Sequence, residues 1–191
     1  MDIKFHMEKV RLKLKEVLTI ADGEDTSLII LVDEKDERQI SIICENDIAA
    51  RIQYRQRHAK EARKLIPEAL SAVIRMKGGA PLEILIIGIY GGQYQTVLNA
   101  RDLTDFVPIR DTEAVLLSVA AGIPIYIEAN LMTMQSVSYK KGEQGIPLPT
   151  NTLSLDMLRK ALEHAVESEN YELASHLRDE IRKRDNNENK P

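Results

Sequence analysis

A change of hydrophobic period along the chain constrains the fold most. Over residues 9–15, Val10, Leu12 and Leu14 alternate strictly with Lys9, Arg11, Lys13 and Lys15. A period of two gives a strand with one dry face and one wet face. Near the other end, Leu155, Leu158, Leu162, Ala165 and Val166 recur at helical spacing, and so do Leu173, Ala174, Leu177 and Ile181. Each of those sets falls on one face of a helix. A chain that begins in strands and ends in amphipathic helices needs a sheet-based body with a helical appendage.

The stretch between fills in that body. Residues 27–32 form a short apolar run, residues 33–37 a polar turn, and residues 39–44 a third strand, so the last two strands read as a hairpin. Residues 47–57 and 62–77 read as helices, with Pro67 marking a first turn rather than a helix interior. Gly78-Gly79-Ala80-Pro81 then breaks the pattern. Residues 82–90 form a buried strand that returns through Gly91-Gly92 as residues 94–99. Residues 106–109 and 124–127 are short strands on either side of a helix over 111–121, for which Gly122 is the C-terminal stop. Residues 128–134 offer a last helical turn or two. Hairpins outnumber crossovers, so the expected class is α+β, a mixed and mainly antiparallel sheet with helices packed on it, plus a C-terminal helical hairpin. The expected division is a domain over 1–135, a linker over 136–152, a hairpin over 153–184 and a polar tail over 185–191. The linker assignment rests on Gly142, Gly145, Pro147 and Pro149 in a stretch without periodicity.

Composition narrows the function classes. With 43% hydrophobic and 29% charged residues, the 191-residue chain suits a soluble globular protein. It has no run of eighteen apolar residues and no signal-peptide core after Met1, so a cytoplasmic location without a membrane is expected. A single cysteine, Cys44, excludes an internal disulfide and reads as a buried, inert thiol at the end of an apolar run. The net charge of −4 gives no global pull on nucleic acid, so any such contact must come from a local patch.

The two C-terminal runs meet at Glu167-Ser168-Glu169-Asn170. Asn170 is placed to cap the second helix, and Glu172 sits in its first turn, where the dipole favours an acid. Arg182, Lys183 and Arg184 fall in the last turn, and small Ala165 and Ala174 let the helices approach closely. Two helices of this length bury little alone and need a partner. Arg178 and Asp179 are adjacent and need not pair. With Tyr171-Glu172, Ala174 and Leu177-Arg178-Asp179 in order, the hairpin resembles the UVR motif of the bacterial excision nuclease subunits B and C. That resemblance implies a protein partner contacted through Tyr171, Glu172, Leu177, Arg178 and Asp179.

Three further segments resemble the bifunctional nuclease (BFN) domain over residues 8–135. They are the hairpin of residues 30–43, with Ser41 where relatives usually have proline, then Glu45-Asn46-Asp47-Ile48-Ala49-Ala50, and then Arg110-Asp111-Thr112-Glu113-Ala114 leading through an apolar helix to Gly122-Ile123-Pro124-Ile125-Tyr126. Thr112 stands where the family has serine and Glu113 where it has aspartate. One departure is larger. Relatives end the stretch between the first two helices in Leu-Thr-His-Asp, and this chain has Pro67 and Glu68 in the last two places, with His58 out of register. The resemblance implies a nuclease cutting DNA or RNA and a homo-oligomer, such as a dimer.

Phosphodiester hydrolysis needs an activated water and charge stabilisation on the phosphate, commonly from carboxylates that hold magnesium or manganese. The candidates for catalysis are Glu113, Asp47, Arg110 and Asp111, with Glu45 beside them. Glu113 and Asp47 are the metal-ligand candidates, and Arg110 the phosphate contact. For the set from Arg110 to Glu113, helix capping and structural ion pairing stand ahead of catalysis, because isolated acids are usually structural. A basic stretch, Arg51, Arg55, Arg57, Lys60, Arg63 and Lys64, stands against one acid, Glu61, and could track a phosphate backbone or simply form a solvated surface. His6, His58, His164 and His176 lack metal-ligand spacing, and no organic cofactor motif occurs. Two functions remain: a metal-assisted DNase/RNase, or a catalytically degenerate oligomeric adaptor that presents its hairpin to another protein.

Overall fold

The computed structural model describes residues 8–19, 26–78, 81–90, 92–100, 106–139 and 155–167, and then residues 171, 174, 175, 177–179, 181 and 182. The body is one eight-stranded sheet built from β1 (Lys9–Thr19), β2 (Thr26–Asp33), β3 (Arg38–Glu45), β4 (Leu82–Tyr90), β5 (Gln93–Ala100), β6 (Phe106–Ile109), β7 (Ile125–Glu128) and β8 (Val137–Ser138). The strand order is β6-β5-β4-β7-β1-β2-β3-β8. Every neighbouring pair is antiparallel except β4–β7. That single parallel pair joins β6-β5-β4 to the other five strands because the chain leaves β6 through a helix and returns to the centre. The class is α+β, as the hairpin-rich sequence implies.

The helices are α1 (Asn46–Arg57), α2 (Ala59–Ala62), α3 (Ile66–Met76), α4 (Asp111–Ala121), α5 (Ala129–Gln135) and α6 (Leu155–Glu167). The main core lies between the sheet and α1, α4 and α5. Ile29, Leu31, Ile40 and Ile42 of β2 and β3, Ile84 and Ile86 of β4, and Ile125 and Ile127 of β7 face Ile52, Leu116 and Met132 there. Strand β2 is buried on both sides. Its alternate residues Leu28, Ile30 and Val32 form a second cluster with Leu18, Ile43 and Tyr139 on the opposite face. This explains why its sequence runs apolar without alternation.

Local chemistry sets the joints. At the β2–β3 turn, Asp33 Oδ1 accepts the backbone N–H groups of Glu37 (2.8 Å) and Arg38 (3.3 Å). Burial acts to raise the Asp33 carboxyl, but those N–H groups and the Arg38 guanidinium outweigh it and hold the group below the ordinary carboxylate range. Asp36 adopts a φ of 56° in the same turn, a conformation that aspartate tolerates better than most residues. Gly122, at φ 68°, ends α4, its N–H donating to the Ser118 carbonyl at 2.8 Å. Glu128 caps α5 by accepting from the backbone of Asn130 and Leu131.

Three details depart from the sequence reading. The helix expected over 62–77 is two pieces, because α2 ends at Ala62 and α3 starts afresh with Pro67 in its first turn. Proline cannot donate the hydrogen bond that a continuous helix would need there. The stretch read as a linker from residue 136 begins with β8, where Val137 and Ser138 pair with Gln39 and Arg38. Val166, placed on the apolar face of α6, is exposed. Leu158, Ala165, Ala174 and Leu177 are buried together, against Leu162, Ile181 and Ile43 of β3. Ala165 and Ala174 therefore share one apolar cluster. Asn170, Glu172, Leu173, His164 and His176 lie outside what the structure describes, wholly or in their side chains.

Candidate functional site

The two sequence segments singled out for chemistry meet. Strand β3 delivers the chain into α1 through Glu45, and β6 delivers it into α4 through Arg110. Glu45 and Arg110 are the N-cap residues of those helices, and neither caps its own helix with its side chain. Instead they face each other, Arg110 Nη2 lying 3.5 Å from Glu45 Oε1. One turn into each helix a second pair repeats the crossing, Arg51 Nη1 donating to Glu113 Oε1 at 3.2 Å. Asp47 is exposed and lies one turn before Arg51, on the same face of α1. Two positive helix ends therefore stand side by side, flanked by Glu45, Asp47, Asp111 and Glu113 and by two arginines.

Asp111 differs from the other three acids. Its Oδ1 accepts the backbone N–H of Thr112 at 2.8 Å. Burial pushes the carboxyl above its ordinary value of 3.8, against the opposing pull of the Thr112 and Tyr94 backbone N–H groups and of Arg110. Cys44 lies beneath the site, and burial together with the charges of Glu45, Asp111 and Asp47 pushes its thiol up to about 12. It is a protonated, inert thiol at neutral pH, as its place in the sequence suggested. Burial also raises the Tyr94 phenol. The Tyr94 and Thr112 hydroxyls are buried without a hydrogen-bond partner among the described residues.

The exposed pairs contribute little to stability. In Arg51–Glu113 the side chains are 44% and 37% exposed, and in Arg110–Glu45 68% and 54%. Such pairs are worth about 0–1 kcal/mol, so their arginines can exchange a carboxylate for another anion cheaply. A metal is a different matter. Among the described residues no three His, Cys, Asp or Glu side chains are grouped to hold an ion. Glu113 is engaged by Arg51.

The basic stretch splits in two. Arg55 does not belong to a solvent-facing set. It is buried, with Nε and Nη2 donating to Glu68 Oε1 (2.7 Å) and Oε2 (3.1 Å) and Nη1 donating to the Arg51 carbonyl (3.0 Å). Arg57, Lys60, Arg63 and Lys64 are exposed, and Tyr54 stacks on His58 with ring centroids 4.7 Å apart. Nothing local in the sequence signals the Arg55–Glu68 pair, which spans thirteen residues and the helix break at Pro67. Tyr94 was missed for the same reason, since β5 meets α4 only in three dimensions.

Of the partner-contact candidates, Tyr171, Arg178 and Asp179 are exposed, and Glu172 lies outside the described residues. Leu177 is buried and faces inward. Arg178 Nε lies 3.6 Å from Asp179 Oδ1 in an exposed contact. No helix of the described residues is long and apolar enough to cross a membrane.

Fold and site together define an α+β sheet protein whose charged site lies between two helix N-termini, followed by a helical appendage. The chain belongs to the bifunctional nuclease domain family, whose model matches residues 29–140, more than half of its length. A UvrB/uvrC motif, typically a protein-interaction module, follows over residues 154–184. No curated protein matches the chain.

Proposed function

We propose that the chain hydrolyses phosphodiester bonds of DNA or RNA at the site between α1 and α4. One observation carries this reading. Segments more than sixty residues apart in sequence meet through two reciprocal, exposed ion pairs, Glu45–Arg110 and Arg51–Glu113. Exposed arginines beside two helix starts supply the charge that a phosphate needs. When Arg51 turns to the phosphate, it releases Glu113, which is then free to take a proton from the attacking water. Asp111, raised by burial, holds its proton to a higher pH than a free carboxyl does and is suited to protonate the leaving oxygen. The magnesium or manganese expected from the sequence would rest on Asp47 and Glu113 alone. The described residues form no larger ligand group, and the proton transfers above need only the chain's own side chains. Labelled single-stranded DNA and RNA, incubated with the purified chain and either ion, should be cut. Glu113→Gln should slow cleavage by about 10²–10⁴-fold. An inert wild-type chain would end this reading.

The second reading is an adaptor without catalysis. A specific observation favours it: where relatives place an aspartate after a histidine, Glu68 is committed to a buried pair with Arg55, and Pro67 replaces the histidine. Deleting residues 153–191 should then abolish capture of a partner while the sheet domain keeps its circular dichroism spectrum.

A further inference from the structure

Helix α3 turns the side that carries Glu68 toward the body, where Ser71 and Ile74 are also half-buried. Glu68 and Arg75 are seven residues apart and share one stripe. Glu68 binds buried Arg55, and Arg75 Nη1 reaches the Ala121 carbonyl at the end of α4 (3.5 Å). No residue of α3 is buried. Ile66, Leu70 and Val73, at the i, i+4, i+7 spacing that helices normally bury, are 82%, 56% and 47% exposed, and Met76 is 77% exposed. A continuous apolar stripe on water marks a contact surface.

The surrounding charge says what covers it. Arg57, Lys60, Arg63 and Lys64 precede the stripe, and Lys77 follows it. All five are exposed, and Glu61 is the one exposed acid between residues 54 and 78. The chain as a whole carries −4, so this excess of cations is local. Three occupants fit poorly. A second copy laying its α3 antiparallel on this one would set Lys64 of one chain beside Lys77 of the other. A membrane surface asks for a broad apolar face anchored by aromatic side chains, and α3 carries none. A nucleic acid would use the cations but leave Ile66, Leu70 and Val73 in water. An amphipathic helix with acidic flanks satisfies both features.

We infer that α3 is a docking seam for an acidic amphipathic helix of a partner protein. The partner's apolar positions lie along Ile66, Leu70 and Val73, and its carboxylates meet Arg63 and Lys64 at one end and Lys77 at the other. This surface stands whether or not the α1–α4 site cleaves nucleic acid.

The test uses the full chain and two synthetic helical peptides with the same leucine seam, one flanked by glutamate and the other by lysine. The glutamate peptide should bind, shift the methyl resonances of Ile66, Leu70 and Val73, and weaken with added salt. The lysine peptide should bind at least about tenfold more weakly. Leu70→Asp, at an exposed position, should abolish binding with the circular dichroism spectrum unchanged. The double variant Lys64→Glu with Lys77→Glu should reverse the preference between the peptides, which keeps the test valid if Leu70→Asp misfolds. The inference is overturned if the glutamate peptide leaves those methyls unmoved at millimolar concentration, or if both peptides bind equally. It is also overturned if the chain forms a dimer that Leu70→Asp dissolves, or if a single-stranded oligonucleotide or phosphatidylserine vesicles produce the same methyl shifts.

Discussion

Helices α3 and α4 are both eleven residues long and pack against each other, yet they are mounted in opposite ways. Helix α4 buries Thr112, Ala114, Val115 and Leu116, while α3 buries nothing. The amphipathic pattern would assign them the other way round. Helix α3 has the clean apolar stripe, whereas α4 is apolar almost all round except at its acidic first turn. Amphipathicity therefore says that a helix has two faces, but not which one turns inward. Here a buried guanidinium decides the matter. Arg55 requires a carboxylate, Glu68 supplies it, and the stripe on the far side of α3 is left outside.

Removing the buried cation has the largest expected effect. Arg55→Ala leaves Glu68 without its partner in a site that is nearly closed, and should cost about 3–5 kcal/mol in urea unfolding. Replacing both partners together, Arg55→Met with Glu68→Leu, should recover most of that loss. If the single variant is neutral, the pair does not hold α3 in place. Next comes Leu116→Ala in α4, where a fully buried side chain leaves a cavity; the expected loss is about 2–5 kcal/mol.

A smaller effect separates two carboxylates by the pH at which they act. The folded chain holds the Asp111 proton above its ordinary value of 3.8. Its contribution is therefore fully present below 3.8 and is lost as pH rises through the folded value. Asp33 is held below 3.8, so its contribution is present above that pH and is lost as pH falls through the lower folded value. Urea midpoints between pH 3 and pH 7 should show Asp111→Asn gaining on the wild type as pH rises and Asp33→Asn losing. Parallel curves would contradict both assignments. The smallest effect belongs to Leu70→Ala on α3, which should change stability by no more than about 0.5 kcal/mol because its side chain already faces water. Set beside Leu116→Ala, it measures the difference in mounting directly.

The two segments that build the candidate site were legible before folding. Glu45, Asp47, Arg110, Asp111 and Glu113 were singled out from two separated segments, and the structure brings those segments together. Asp111 and Glu113 are two apart on a helix, so they point different ways. One is half-buried above Cys44, and the other faces Arg51. The basic stretch was less legible. Arg51, Arg55 and Arg57 look alike in a sequence, but one pairs across to α4, one is buried, and one is exposed. Leu177 was likewise grouped with exposed contact residues although it faces its own cluster.

By itself the sequence determined the period of each segment, the places where glycine and proline break it, and hence the α+β class with its helical appendage. Those follow from local geometry, which a few neighbouring residues specify. Only the tertiary structure decided that β7 returns to the sheet centre beside β4, that the N-caps of α1 and α4 face each other, and that α3 turns the side carrying Glu68 inward. The physical reason is that charge pairing and burial are set between residues far apart in the chain. A guanidinium has no fixed role until the fold gives it either a carboxylate or water.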